Sequence, residues 1–224
     1  MEEQEPVHLI LMGNTKKSND SNIVNVFDLK GSFIHREVKD KNLKPTATLK
    51  DLNLLNIRKE KMIMRFRPED QIEIMKNIER DSEILRSHNL MDYSLLLAIE
   101  KNENYIKLKG NISRATGSSL SAEKELNDEL VKRFEKTRHT FLSKSGKFIY
   151  HLAIIDYLQD FNTEKRLENM LKTVINKEGA QISAIHPNPY CKRFVKFMKE
   201  QVIIDDAATK QQWSHLLKFI CFQF

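Results

Sequence analysis

Three short stretches of this 224-residue chain combine residue types that could do chemistry: Asp28-Leu29-Lys30-Gly31-Ser32, Met91-Asp92-Tyr93-Ser94-Leu95-Leu96, and Ile154-Ile155-Asp156. Each sets an aspartate at the edge of an apolar run. The first adds a lysine two residues on, so that on a strand Asp28 and Lys30 would share a face. Separated carboxylates joined to a lysine are the usual means of holding Mg²⁺ and the phosphates of a nucleotide. Lys30 could meet a phosphate oxygen, with Gly31 allowing close backbone approach. Asp92 could accept a proton or orient a hydroxyl, and Asp156 stands where a metal ligand at a cleft edge would. Each motif alone also fits a plainer role: a solvent-facing ion pair for Asp28 and Lys30, a turn aspartate for Asp92, a cap for Asp156.

The elements that must carry these residues can be read from periodicity. Residues 7–12 form a short apolar run expected to be a strand, and 23–29 alternate as a half-buried strand that Gly31 ends. Residues 39–58 read as irregular, with Pro45 against a long helix. Pro68 suits a first helical position. Ile72, Met75, Ile78, Ser82 and Leu85 follow at helical spacing, predicting a helix over 68–87. Residues 93–99 and 148–155 read as strands. Between them 101–147 reads as a polar insertion, partly mobile, with a linker at 117–119 and a helix over 122–138 capped by Ser121. Helices are expected over 165–174, 189–199 and 206–219. Strands mixed with helices in this way predict an α+β fold.

Composition narrows the class. The chain is 40% hydrophobic and 30% charged, as an ordinary globular domain is, and its net charge of +6 suits an anionic partner. No apolar run approaches the roughly 18 residues of a membrane span. The opening Met1-Glu2-Glu3-Gln4-Glu5 is unlike a signal peptide. Cys191 and Cys221 have no ligand-like spacing, and no two of the seven histidines lie three to five apart. Reduced thiols in a cytosolic protein are therefore the expectation. The six glycines make neither a P-loop nor a Gly-x-Gly loop, and no His-Arg precedes Asp92, so the protein-kinase catalytic signature is missing. A nucleic-acid partner would rest on charge alone and is not expected.

In this order the three motifs, with Arg36-Glu37, Lys165-Arg166-Leu167-Glu168 and the Tyr190 to Met198 stretch, resemble the phosphatidylinositol phosphate kinases over about 7–198. The resemblance implies the C-terminal lobe of such a kinase, as one domain over 1–224 with a variable insert at 101–147. Its N-terminal lobe, with the glycine-rich loop and a strand lysine, would lie outside the sequence. It implies ATP and Mg²⁺ as cofactors, a phosphoinositide lipid as substrate, and a peripheral place on the cytoplasmic face of the plasma membrane. Residue by residue it implies Asp92 as the catalytic aspartate, with Lys30 on phosphate and Asp28 in the same motif, and Asp156 as the Mg²⁺ ligand. Met12, Asn14, Leu96 and Ile155 would line the adenine pocket. Lys165, Arg166, Glu168 and Arg36 would meet the headgroup or membrane, joined by a basic helix with Lys192, Arg193, Lys196 and Lys199. Glu168 resembles the glutamate of the type I enzymes, implying phosphatidylinositol 4-phosphate as substrate and the 4,5-bisphosphate as product. The other expectation is a non-catalytic module binding phosphoinositide membranes or a partner through the same face.

Overall fold

A computed structural model of the chain describes residues 22–39, 47–59, 64–116, 120–161 and 186–203. Its centre is a five-stranded sheet in the order β2-β1-β4-β6-β5, made of β1 (Ile23–Leu29), β2 (Thr48–Leu49), β4 (Ser94–Lys101), β5 (Thr140–Leu142) and β6 (Phe148–Ile155). Strands β1, β4, β6 and β5 pair antiparallel, and the short β2 adds to β1 in parallel. A two-stranded ribbon joins β3 (Leu90–Met91) to β7 (Gln159–Asp160). Helices α1 (Asp51–Lys59), α2 (Pro68–Ser87), α3 (Glu103–Thr116), α4 (Leu120–Arg133) and α5 (Pro187–Phe197) complete the α+β fold, and a π-helical turn, Met198–Ile203, continues α5. Among the described residues no helix is long and apolar enough to cross a membrane.

Strand alternation decides the core. Phe27, Leu29, Leu95, Leu97, Ile99, Tyr150 and Leu152 lie on one face and are buried together with Ile74, Met75 and Ile78 of α2. Helix α2 begins with Pro68 at its first turn, carries Glu69 and Asp70 there and Arg86 in its last turn, which complements the helix dipole. Asn89, left-handed at φ 60°, follows its end and turns the chain into β3. The buried stripe runs through Gln71, Ile74, Met75, Ile78 and Ser82, so Ile72, expected within it, is 40% exposed. A second cluster forms where α3 and α4 meet the far end of the sheet, around Leu126, Leu130 and Leu142 with Tyr105, Leu108 and Ile149.

Several expectations need correction. Residues 39–58 are not wholly irregular, because β2 and α1 lie within them. The helix expected over 122–138 begins at Leu120, so Ser121 lies inside it rather than capping it, and it stops at Arg133. The polar insertion also contains a helix the periodicity did not reveal, α3. Expected elements over 7–12, 165–174 and 206–219, and the linker at 117–119, fall outside the described residues.

Candidate active site

Antiparallel pairing brings the three motifs to one edge. Strand β4 begins where β1 and β6 end: Leu95 faces Leu29 and Ser94 faces Ile155. Gly31 follows β1, Asp92 precedes β4 and Asp156 follows β6, and all three are left-handed, at φ 66°, 61° and 58°. For glycine that conformation is free, whereas for an aspartate it costs about 1–2 kcal/mol and is tolerated where surrounding contacts hold it. Two adjacent strand ends thus both terminate in a strained carboxylate.

Lys30 reaches across from β1 to Asp92. Its ammonium donates to the Asp92 carbonyl oxygen at 2.7 Å and lies 2.9 Å from Oδ1. The second contact lacks hydrogen-bond geometry and is an ion pair, leaving Oδ1 without a directed donor. The lysine side chain is 11% exposed and the Asp92 side chain 31%, so the carboxylate is the solvent-facing member.

Beneath this pair sits a residue the sequence reading missed. Asp51, the first residue of α1, is fully buried. Its Oδ1 accepts the backbone N–H groups of Lys30 at 3.0 Å and Gly31 at 2.7 Å, and its Oδ2 accepts Nε of Arg36 at 2.7 Å. The same guanidinium pairs with Asp28 Oδ1 at 3.1 Å through Nη2. Burial works against the charge on Arg36, but the hydrogen bond and charge of Asp51, with Asp28 adding to them, raise its pKa above the ordinary value. It remains a cation. The partners of Asp51 lie 15 to 21 residues away in sequence. An acid in the first turn of a short helix was the sole local signal, and it cannot distinguish a buried clamp from a surface cap.

This network changes three assignments. Arg36, expected at a headgroup or membrane, is buried and held by two carboxylates, which removes it from the surface. Asp28, expected to work beside Lys30, is instead tied to Arg36 and supports the lysine indirectly. Gly31 does permit a close backbone approach, but to α5: an added Cβ would stand 3.0 Å from Phe197 Cβ and 3.3 Å from the Arg193 carbonyl oxygen. Arg193, expected on a basic outer face, is turned inward over the Tyr190 ring at 5.1 Å, and burial lowers its pKa. Lys192 and Lys196 are exposed.

Leu96 and Ile155 are half-buried on the sheet face that also carries Asp28, opposite the α2 core. Met12, Asn14, Lys165, Arg166 and Glu168 lie outside the described residues. A cleft of about 910 Å³ between α2 and β6 is lined by neither Lys30 nor Asp92. Among the described residues no three His, Cys, Asp or Glu side chains gather as a metal cage. The exposed carboxylate of Asp156 at the end of β6 suits Mg²⁺, which commonly takes one or two protein carboxylates and fills its other positions with phosphate and water.

A family model described as Phosphatidylinositol-4-phosphate 5-Kinase matches residues 1–201. The chain belongs to the phosphatidylinositol phosphate kinase family. It is 30% identical over 197 residues to a phosphatidylinositol 5-phosphate 4-kinase type-2 gamma of Xenopus tropicalis, covering 77% of this chain and 46% of that protein. The human type-2 gamma kinase is 29% identical, with 77% of this chain and 48% of the kinase covered. A phosphatidylinositol 4-phosphate 5-kinase of Plasmodium falciparum is 28% identical over 88% of this chain and 11% of its own length. The chain therefore spans about half the length of the type-2 kinases it matches.

Proposed function

We propose that the edge formed by Lys30, Asp92 and Asp156 passes the γ-phosphoryl of ATP to a hydroxyl of a phosphoinositide headgroup, with phosphatidylinositol 4-phosphate as the preferred lipid. The observation that carries this is the Lys30–Asp92 pair, its carboxylate partly open to solvent, at the sheet edge where Asp156 follows β6. Asp92 accepts the hydroxyl proton as the lipid oxygen bonds to phosphorus and ADP departs. Lys30 is close enough to neutralise charge on both the carboxylate and the transferring phosphoryl. Asp156 would hold Mg²⁺, whose contribution when bound is to offset charge on the phosphate oxygens. Leu96 and Ile155 supply an apolar floor for adenine, and the family resemblance alone adds Met12 and Asn14 to it. Lys165, Arg166, Lys192 and Lys196 would bring the site to the anionic cytoplasmic face of a membrane, each adding about 1 kcal/mol near the surface.

Glu168 supports the 4-phosphate preference, since a carboxylate three residues after Lys165 can anchor that basic segment. The 5-phosphate is the second reading, favoured by the names of the type-2 relatives. Turnover of the full chain with radiolabelled ATP and vesicles containing either lipid tests the proposal. Asp92→Asn should reduce turnover about 100-fold or more with the fold intact. Unchanged turnover removes Asp92 from the chemistry. Vesicle binding without turnover in the wild type would reduce the site to lipid binding. Glu168→Ala should move preference toward the 5-phosphate; an unmoved ratio discards its role.

A further inference from the structure

The Asp92 turn is not held by the sheet. Asp92 and Tyr93 lie between β3 and β4, outside both strands, and Asp92 is in the left-handed region. Lys30 reaches this turn from the β1 side, and a second contact comes from the C-terminal side of the chain. Tyr190 of α5 is completely buried, and its hydroxyl donates to the carbonyl oxygen of Tyr93, the residue after Asp92. The Tyr190 ring meets the Tyr93 ring edge-on at 4.8 Å, and Tyr93 meets Phe194 in the same way at 4.9 Å. Helix α5 also backs the other half of the site, because Gly31 touches Phe194 and Phe197. Burial first, and the Asp92 charge second, push the Tyr190 phenol well above its usual pKa, so it stays a neutral donor.

We propose that Tyr190 is a positioning residue for Asp92: its hydroxyl fixes the turn from below, and so fixes the height at which the carboxylate meets Lys30 and the incoming hydroxyl. This rests on the reading of Asp92 given above, although the clamp itself is a matter of geometry. A tyrosine present only to fill space would lose nothing on becoming phenylalanine. A tyrosine holding a carbonyl would leave that oxygen buried and unpaired, which is the costly way to lose a hydrogen bond.

Tyr190→Phe in the full chain separates the two. Amide hydrogen exchange at residues 92–94 should accelerate about tenfold relative to the centre of β4, the equivalent of one hydrogen bond. The kcat should fall about tenfold while the KM for ATP stays within about twofold, because the carboxylate is misplaced but the nucleotide contacts remain. Leu130→Ala, buried at the far end of the sheet, serves as the control: it should lower the unfolding midpoint without singling out the turn. Exchange at 92–94 that is unchanged, or that rises evenly through the sheet, overturns the proposal. So does a phenylalanine variant that fails to fold, which would make the hydroxyl a general prop of the helix. If the wild-type chain shows no turnover, the exchange data still decide the clamp, because they do not depend on activity.

Discussion

At the end of the sheet where β4 begins, Asp28, Lys30, Arg36 and Asp51 are mostly withdrawn from water and satisfy one another across long sequence separations. At the opposite end, α3 and α4 keep their charges outside, as local pairs one helical turn apart: Lys107 with Glu103 and Arg133 with Glu129. Beneath those pairs the contact with the sheet is apolar, through Leu126, Leu130 and Leu142. The difference is one of cost. An exposed pair contributes a few tenths of a kcal/mol and can be lost, whereas buried charges carry a desolvation penalty that apolar residues of the same size would avoid. The opposite end has a buried pair of its own, Glu100 with His151 at 2.7 Å, so the contrast lies in the long-range network around Asp51 and not in burial of charge alone.

Substitutions can break this contrast in order of size. Asp51→Ala should be the most damaging, removing the acceptor of two backbone N–H groups and stranding the Arg36 cation. A loss of about 3–5 kcal/mol in urea unfolding is expected, and a loss below about 1 kcal/mol would show the clamp to be dispensable. Gly31→Ala should follow at about 1–3 kcal/mol, because alanine must adopt a left-handed backbone and press its Cβ against Phe197. A neutral result would mean that α5 shifts to make room. Arg133→Ala should lie within about 0.5 kcal/mol of wild type. If it matched Asp51→Ala, the distinction between the two ends would collapse.

The strands and α2 were legible because their signals are local. Period-two alternation places β1 over Ile23–Leu29, a run of eight apolar-rich residues gives β6, and Pro68 with its downstream stripe gives α2 at its observed bounds. Helix α1 was obscured because Pro45 dominated its neighbourhood and only nine residues remained after it. Lys30 and Asp92 were singled out by type and by position beside strands, and the sheet register brings them together. The charge network was not legible, since Asp51, Arg36 and Asp28 are linked by folding alone. The same holds for Arg193: its lysine neighbours made it read as surface, and the Tyr190 ring takes it inward.

The separation of 97 residues between Tyr190 and the carbonyl it serves has a consequence in time. Closing a loop of that length is entropically slower than pairing β1, β4 and β6, whose contacts are nearer in sequence. Synthesis runs from the N-terminus, so among the described elements α5 and the π-helical turn that continues it leave the ribosome last. A nascent chain can therefore assemble its sheet, with Lys30 on the Asp92 carbonyl, while the Tyr93 carbonyl still lacks its donor. The clamp on the turn closes only after the framework it braces is already in place.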